Sequence, residues 1–433
     1  MLATLATLAA APADSRAQRE GHADGPESAD AADPRPTRWH FMVQGIPVVT
    51  HAANTVGGAS LTEGYLAQAA AMARGDLLGG HLRLDATLNA EGTTMRRGEL
   101  STGAFGEGFI DRRHPHTYVH EVVATGLGSL GPVRYSVSAG RGFAAFGTDD
   151  PMMRPFEKYP INHHLAQILE RAMVTGAVRI GPAILEASTF GGEEPTSPDY
   201  TPTMSRFGDS WSVRGTVLPF PGLEVQGSYA HVASPEHVSG IGLDQRKRSL
   251  SARFISPGGD RYVLGEWART IEHDGVRDAD VFGYETALIE GAAMLGRLGV
   301  AGRLEQTERP EEERATDPFR VPRPHADLAI IGITRWRTAT LALTFPSPTS
   351  GPVRGYPFLE VARMSVEAKD ARGLFRPRTF YGARAPWMLT AGVRLRLGAP
   401  HARMGRYGAA LPAGPAIRAL TGPGDDSKTV HDH

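Results

Sequence analysis

The chain has 433 residues, with 47 acidic and 46 basic side chains and a formal net charge of −1, so no net field draws it to nucleic acid. It has no cysteine, which removes disulfides, thiolate zinc sites, iron–sulfur clusters and cysteine nucleophiles together. With 51 glycines, 32 prolines and 41% hydrophobic residues, the composition favours many short elements joined by turns over long helices.

Residues 1–13 form a short apolar run ending in small residues, "MLATLATLAAAPA", which reads as a signal-peptide core and cleavage site without the usual basic start. Residues 14–36 are polar, acidic and short of aromatic and β-branched side chains; such a segment buries too little apolar surface to order itself and reads as a disordered linker. No stretch approaches the 18 consecutive apolar residues of a transmembrane helix. A closed barrel remains open as a membrane-spanning solution, because it satisfies every backbone group internally.

From residue 37 to residue 398 the signal is alternation. In "VRYSVSA" Val133, Tyr135 and Val137 oppose Arg134, Ser136 and Ser138, and in "WSVRGTV" Trp211, Val213 and Val217 oppose Ser212, Arg214 and Thr216. The same period of two recurs in "LEVQGSYA" (Leu223 and Val225 against Glu224 and Gln226), in "SLSARF", in "TATLALTF" (Ala339, Leu341, Leu343 and Phe345 on one side) and in "LTAGVRLRL" (Leu389, Val393, Leu395 and Leu397 against Arg394 and Arg396). A helix cannot use this period; a strand with one greasy and one polar face can. Short turns, "LGSLGP" at 127–132, "PFPG" at 219–222 and "PGGD" at 257–260, alternate with long polar connections such as 148–164, 191–209, 234–247 and 308–325. Tight turns at one end and long loops at the other are the layout of an outer-membrane barrel.

The expected fold is therefore all-β, a closed antiparallel transmembrane barrel of about 16 strands, within a range of about 14 to 18. A soluble sandwich shows the same alternation, but no seam divides the segment and charges fall mid-strand. The expected lumen-lining residues are Arg134, Arg214, Glu224, Arg253, Arg303, Arg394 and Arg396. Trp39, Tyr118, Tyr135, Trp211, Trp267, Trp336, Phe345 and Trp387 lie near strand ends, as an interfacial girdle requires. Residues 399–433 continue past the closing strand and form either a flexible extension or a plug.

The segment "DRRHPHTYVHE" at 111–121 brings together His114, His116 and His120, and "INHH" adds His163 and His164. Imidazole commonly binds transition metals, yet no spacing here has the regularity of a zinc motif. A hydrogen-bonding role at the rim is the first reading and a copper or zinc site the second. No G-x-S-x-G elbow, H-E-x-x-H or phosphate-binding loop is present. A rim hydrolase using His120, Glu121 and Ser136 is the weakest alternative, and the chain reads as a non-enzyme without cofactor.

In layout the chain resembles a family of proteobacterial proteins that pair an R-x-HPH segment before one strand with an M-x-R-P segment and an HH doublet before the next, then an E-P. Here these read "RRHPHTYVHEV", "MMRPFEKYPINHH" and "STFGGEEPTSPD". The resemblance implies an outer-membrane barrel, often in a metal-resistance context. Two positions depart from it: Met153 stands where a histidine is expected and Asn162 where a glycine is usual. Methionine still suits a soft ion such as Cu(I). The expected partners are the outer-membrane lipid bilayer and small polar solutes or ions; the function is their passage or binding, and the alternative is copper or zinc binding linked to efflux.

Overall fold

A computed structural model of the chain describes residues 37–53, 59–95, 99–100, 116–161, 163–195, 197–312, 330–348, 351–370, 376–381, 385–398, 403–411 and 416–421. The signal and linker readings of residues 1–36 lie outside these described residues, as does His114.

Sixteen strands make the wall: β1 (Arg38–Ala53), β2 (Leu61–Leu77), β3 (Leu82–Asn89), β4 (Val119–Leu130), β5 (Val133–Gly142), β6 (Arg171–Ile180), β7 (Ala183–Phe190), β8 (Ser210–Val217), β9 (Leu223–Val232), β10 (Asp244–Ile255), β11 (Arg261–Asp274), β12 (Ala279–Leu295), β13 (Leu298–Glu312), β14 (Ile330–Thr344), β15 (Val353–Ala368) and β16 (Trp387–Gly398). Each pairs with its chain neighbours, and β1 pairs antiparallel with β16, Val48 against Gly392, so the sheet closes into a barrel. Closure gives each of these strands a neighbour on both sides.

The alternation sets the two faces. On β15 Leu359 and Val361 face outward while Phe358, Glu360 and Ala362 are buried inside; on β8 Trp211 and Val213 face outward while Ser212 and Arg214 face in. A wall that is apolar outside and polar inside inverts a soluble protein and fits a lipid environment. Arg363 faces Trp387 across β15 and β16, and Val353 faces Leu397 ten residues lower. At about 3.3 Å per residue and a tilt near 40°, that stretch gives an apolar band roughly 25 Å tall.

Tight turns join β2 to β3, β4 to β5, β6 to β7 and so on at the end where Arg38 and Gly398 also lie. The long loops gather at the other end, except that β11 and β12 are joined by residues 275–278 alone. Two boundaries correct the sequence reading. Most of "LGSLGP" is strand, because β4 and β5 pair down to Leu130 opposite Val133, and β10 begins at Asp244, so "DQRK" belongs to the wall rather than the loop. A third correction concerns Trp336, which is wholly buried. It shares the inward parity of Thr334 and Thr338 on β14 and cannot belong to the girdle, whereas Trp39, Tyr135, Trp211 and Trp387 are exposed on the outside.

Candidate functional site

Two inserted segments carry most of the charged contacts in the lumen, and Ile417 and Ala419 of residues 416–421 pack inside the wall as well. The connection between β5 and β6, residues 143–170, folds inward and is buried along almost its whole described length. Residues 403–411 follow β16 and pack, also buried, against the inward faces of β4 to β7.

Wall, loop and C-terminal segment are joined by charge. Arg214 on β8 grips Glu186 on β7 with two bonds, Nε to Oε2 at 2.7 Å and Nη2 to Oε1 at 2.6 Å. The same guanidinium reaches the Gly147 carbonyl of the loop at 3.1 Å and the Gly405 carbonyl of the C-terminal segment at 3.3 Å. Asp149 on the loop is enclosed by Arg253 of β10 and by Arg403 and Arg406 of the C-terminal segment. Glu224 on β9 accepts from Arg403 at 3.0 Å and from Arg406 at 2.7 Å. Burial alone would raise the Asp149 carboxyl, but Arg403, Arg253 and Arg406 hold it well below the ordinary range.

Further round the wall, Arg154 donates to Glu266 at 3.0 Å and lies 3.8 Å from Glu290. Lys158 donates to Glu99 at 2.6 Å; burial opposes its charge, but Glu157 and Glu99 hold it well above its ordinary value. Arg303 donates to the Lys158 carbonyl at 2.9 Å and stacks 4.5 Å from the Phe156 ring. Arg154 ties the inward loop to β11 and β12, Arg303 ties it to β13, and Lys158 ties it to Glu99 on the connection between β3 and β4, as buried charges require partners.

Of the seven expected lumen residues, Arg214, Glu224, Arg253, Arg303, Arg394 and Arg396 are buried inside the barrel. Arg394 donates to Gln68 at 3.4 Å, and Arg396 lies 5.8 Å from the Tyr356 ring. Arg134 has the inward parity but sits beside the tight turn at 131–132, where it is exposed. Asp149, Arg154, Lys158, Glu266, Arg403 and Arg406 were not singled out from sequence. Five of them lie outside the strands, where alternation gives no signal; charged residues inside otherwise small or apolar runs, as in "HARMGRYG", were the available cue.

The histidines are engaged locally. His120 on β4 bridges Glu170 at 2.6 Å and Asp150 at 3.3 Å, the two carboxylates near the ends of the inward loop. His116 meets Glu91 at 3.2 Å, and its ring contacts those of His120 and His163, with His163 against His164. Met153 is buried in an apolar cluster with Met42, Met72, Met152 and Met404. Among the described residues no group of three or more histidine, aspartate or glutamate side chains is placed to hold a metal ion, and Met153 lies among apolar side chains, so the alternative of a copper or zinc site on His116, His120, His163, His164 and Met153 gains no support. Ser136 accepts the Ala409 N–H at 3.0 Å and shares no bond with His120 among the described residues, which leaves the hydrolase alternative without a nucleophile–base pair.

Fold and lumen together define a closed, outer-membrane-type β-barrel. No family model and no curated protein matches the chain. Among solved structures it is similar to a high-pH structure of Pseudomonas putida OprB, at 11% identity and a TM-score of 0.49 over 83% of this chain and 94% of that one. It is also similar to an anion-selective porin from Comamonas acidovorans, at 13% identity and 0.48 over 84% and 100%, and to the Acinetobacter baumannii outer membrane channel DcaP, at 8% and 0.47 over 84% and 97%. At TM-scores under 0.5 this is likeness of gross architecture, and function has to be read from this chain's own lumen.

Proposed function

We propose that the chain is a porin-like protein of the Gram-negative outer membrane that passes small polar solutes through a narrow, charge-lined lumen, and that it catalyses no reaction. The observation that carries this reading is the division of the wall: apolar side chains face outward along the strands, and paired arginines and carboxylates face inward. A polar interior is tolerated in a barrel because it meets water or inserted protein rather than lipid. Residues 143–170 and 403–411 narrow the path, so the conducting state is small or needs one of the two segments to shift.

Among the described buried residues, carboxylates outnumber guanidinium and ammonium groups. Rings of like charge favour counter-ions in a pore, and the lumen accordingly prefers cations to anions. The test is conductance of the purified full-length protein in a planar lipid bilayer under a potassium chloride gradient. Discrete small steps with a cation-selective reversal potential support the reading. Recovery as a soluble monomer without detergent, or failure to conduct even when the inserted segments are loosened, contradicts it.

A further inference from the structure

Two grooves run into one another on the outer wall of β12 to β15, towards the long-loop end. The lower, of about 720 Å³, is floored by Ala287, Ile289, Leu304 and Ala339. The upper, of about 690 Å³, is lined by Arg337, Glu367, Arg376 and Arg378 among others. Arg337 and Ser365 belong to both, and Arg363 stands at the edge of the lower one. Small outward residues make the depression: Ala339 lies across from Leu304, and Ala287 is the next outward position along β12 from Ile289, which itself pairs with Leu304.

The charge on this face is uneven. Arg337 pairs with Glu367 at 3.0 Å, while Arg335 and Lys369 share Glu308 at 2.8 and 2.6 Å. Arg363 and Arg378 are exposed and have no hydrogen-bond or ion-pair partner among the described residues. An arginine on the outside of a barrel is poorly placed at mid-membrane and well placed at the headgroup level. Arg363 is at that level, since its partner across the strands is the outward-facing Trp387, and tryptophan marks the interface. Arg363 pairs across the strands with Ala339, and Arg337 with Gln306, the neighbour of Ala287, so cations border the apolar floor on its β14 and β15 side: the arrangement matches an acyl lipid with an anionic head, and a guanidinium binds phosphate by paired hydrogen bonds.

We propose that this face binds one phosphate-bearing, multi-acyl lipid of the outer leaflet, its chains in the groove over β12 to β15 and its phosphate between Arg363, Arg337 and Arg378. Four strands span about 15 Å, wide enough for several chains side by side. The site lies outside the lumen. It rests on placement in the outer membrane, with the long loops outward, and not on conduction.

The test uses full-length protein in non-ionic detergent, stripped of lipid and titrated with bis-phosphorylated lipid A while adducts are counted by native mass spectrometry. Parallel titrations use fully dephosphorylated lipid A, phosphatidylglycerol and inorganic phosphate. One adduct is expected with bis-phosphorylated lipid A, at least ten-fold weaker in the Arg363→Gln/Arg378→Gln variant and in Ala339→Trp, which fills the groove. Arg363→Lys should retain part of the affinity, and a heat-modifiable gel shift confirms that each variant is folded. Equal binding by wild type and the double variant, equal binding of the dephosphorylated lipid or phosphatidylglycerol, or saturation by inorganic phosphate overturns the proposal. Bilayer conductance of the double variant should equal that of the wild type, so failure of this site and failure of the solute-passage reading are read separately.

Discussion

Arg403 and Asp149 are separated by 254 positions and meet inside the barrel, where Arg403 Nη2 donates to Asp149 Oδ1 at 2.7 Å. One residue belongs to the segment that follows the last strand and the other to the loop between β5 and β6. Their pairing means that the two inserted segments hold each other in place. Glu224 and Arg253 on the wall complete the cluster, so moving either segment exposes a buried charge unless both move or water enters.

The inward course of the loop depends on Gly147. Its φ is +64°, and a Cβ there would stand 1.7 Å from the Ala166 carbonyl oxygen, while its own carbonyl accepts from Arg214 and Gln226 at 3.1 and 2.8 Å. Gly147→Ala should cost about 1–3 kcal/mol in backbone strain and push the loop off the wall. Hydrogen exchange should then rise across residues 143–170 with the strands still protected; unchanged exchange would show that the loop tolerates the clash.

His120 fastens both ends of the same loop. Burial would raise the carboxyls of Asp150 and Glu170, but the His120 side chain beside them holds both below their ordinary values. Depressed carboxyls contribute stability that is present above the ordinary carboxylate range, about pH 4, and is lost as pH falls through their lower folded values. Urea unfolding should therefore show wild type losing stability on acidification below about pH 4, with His120→Gln less stable at neutral pH by about 3–5 kcal/mol and flatter in acid. Parallel curves for the two proteins would remove His120 from this role.

The wall makes its own prediction. Leu341 is 47% exposed on the outer face of β14, two residues below the row of Ala339 and Arg363. Leu341→Arg should destabilise the barrel in lipid vesicles by about 2–4 kcal/mol, and Leu341→Phe by much less. Equal effects would mean that this face meets protein rather than lipid.

How much of this was legible in the sequence follows from what alternation can encode. Leu341 and Thr340 were assigned to opposite faces from period alone, and the strand number emerged because tight turns and long loops alternate. Trp336 has the aromatic character of a girdle residue, but its even position on β14 sends it inward. Arg214 was legible as a lumen residue, but its partners at Gly147 and Gly405 were not, because inserted segments carry no periodicity and their contacts span long separations. His120 was conspicuous as a residue type; its two carboxylate partners, 50 and 30 positions away, only the fold brings to it.

The central claim is that the C-terminal segment and the inward loop narrow the lumen of a conducting barrel and are locked by the Arg403 and Arg406 contacts to Asp149 and Glu224. Single-channel conductance in potassium chloride, compared between wild type and the full-length Arg403→Gln/Arg406→Gln variant, tests it directly. Losing both cations should weaken the lock, because among the described residues Asp149 would keep its ion pair with Arg253 while Glu224 would lose both of its ion pairs, and the variant should open more often or to larger steps. Identical conductance in the two proteins, with both inserted correctly, would contradict the claim.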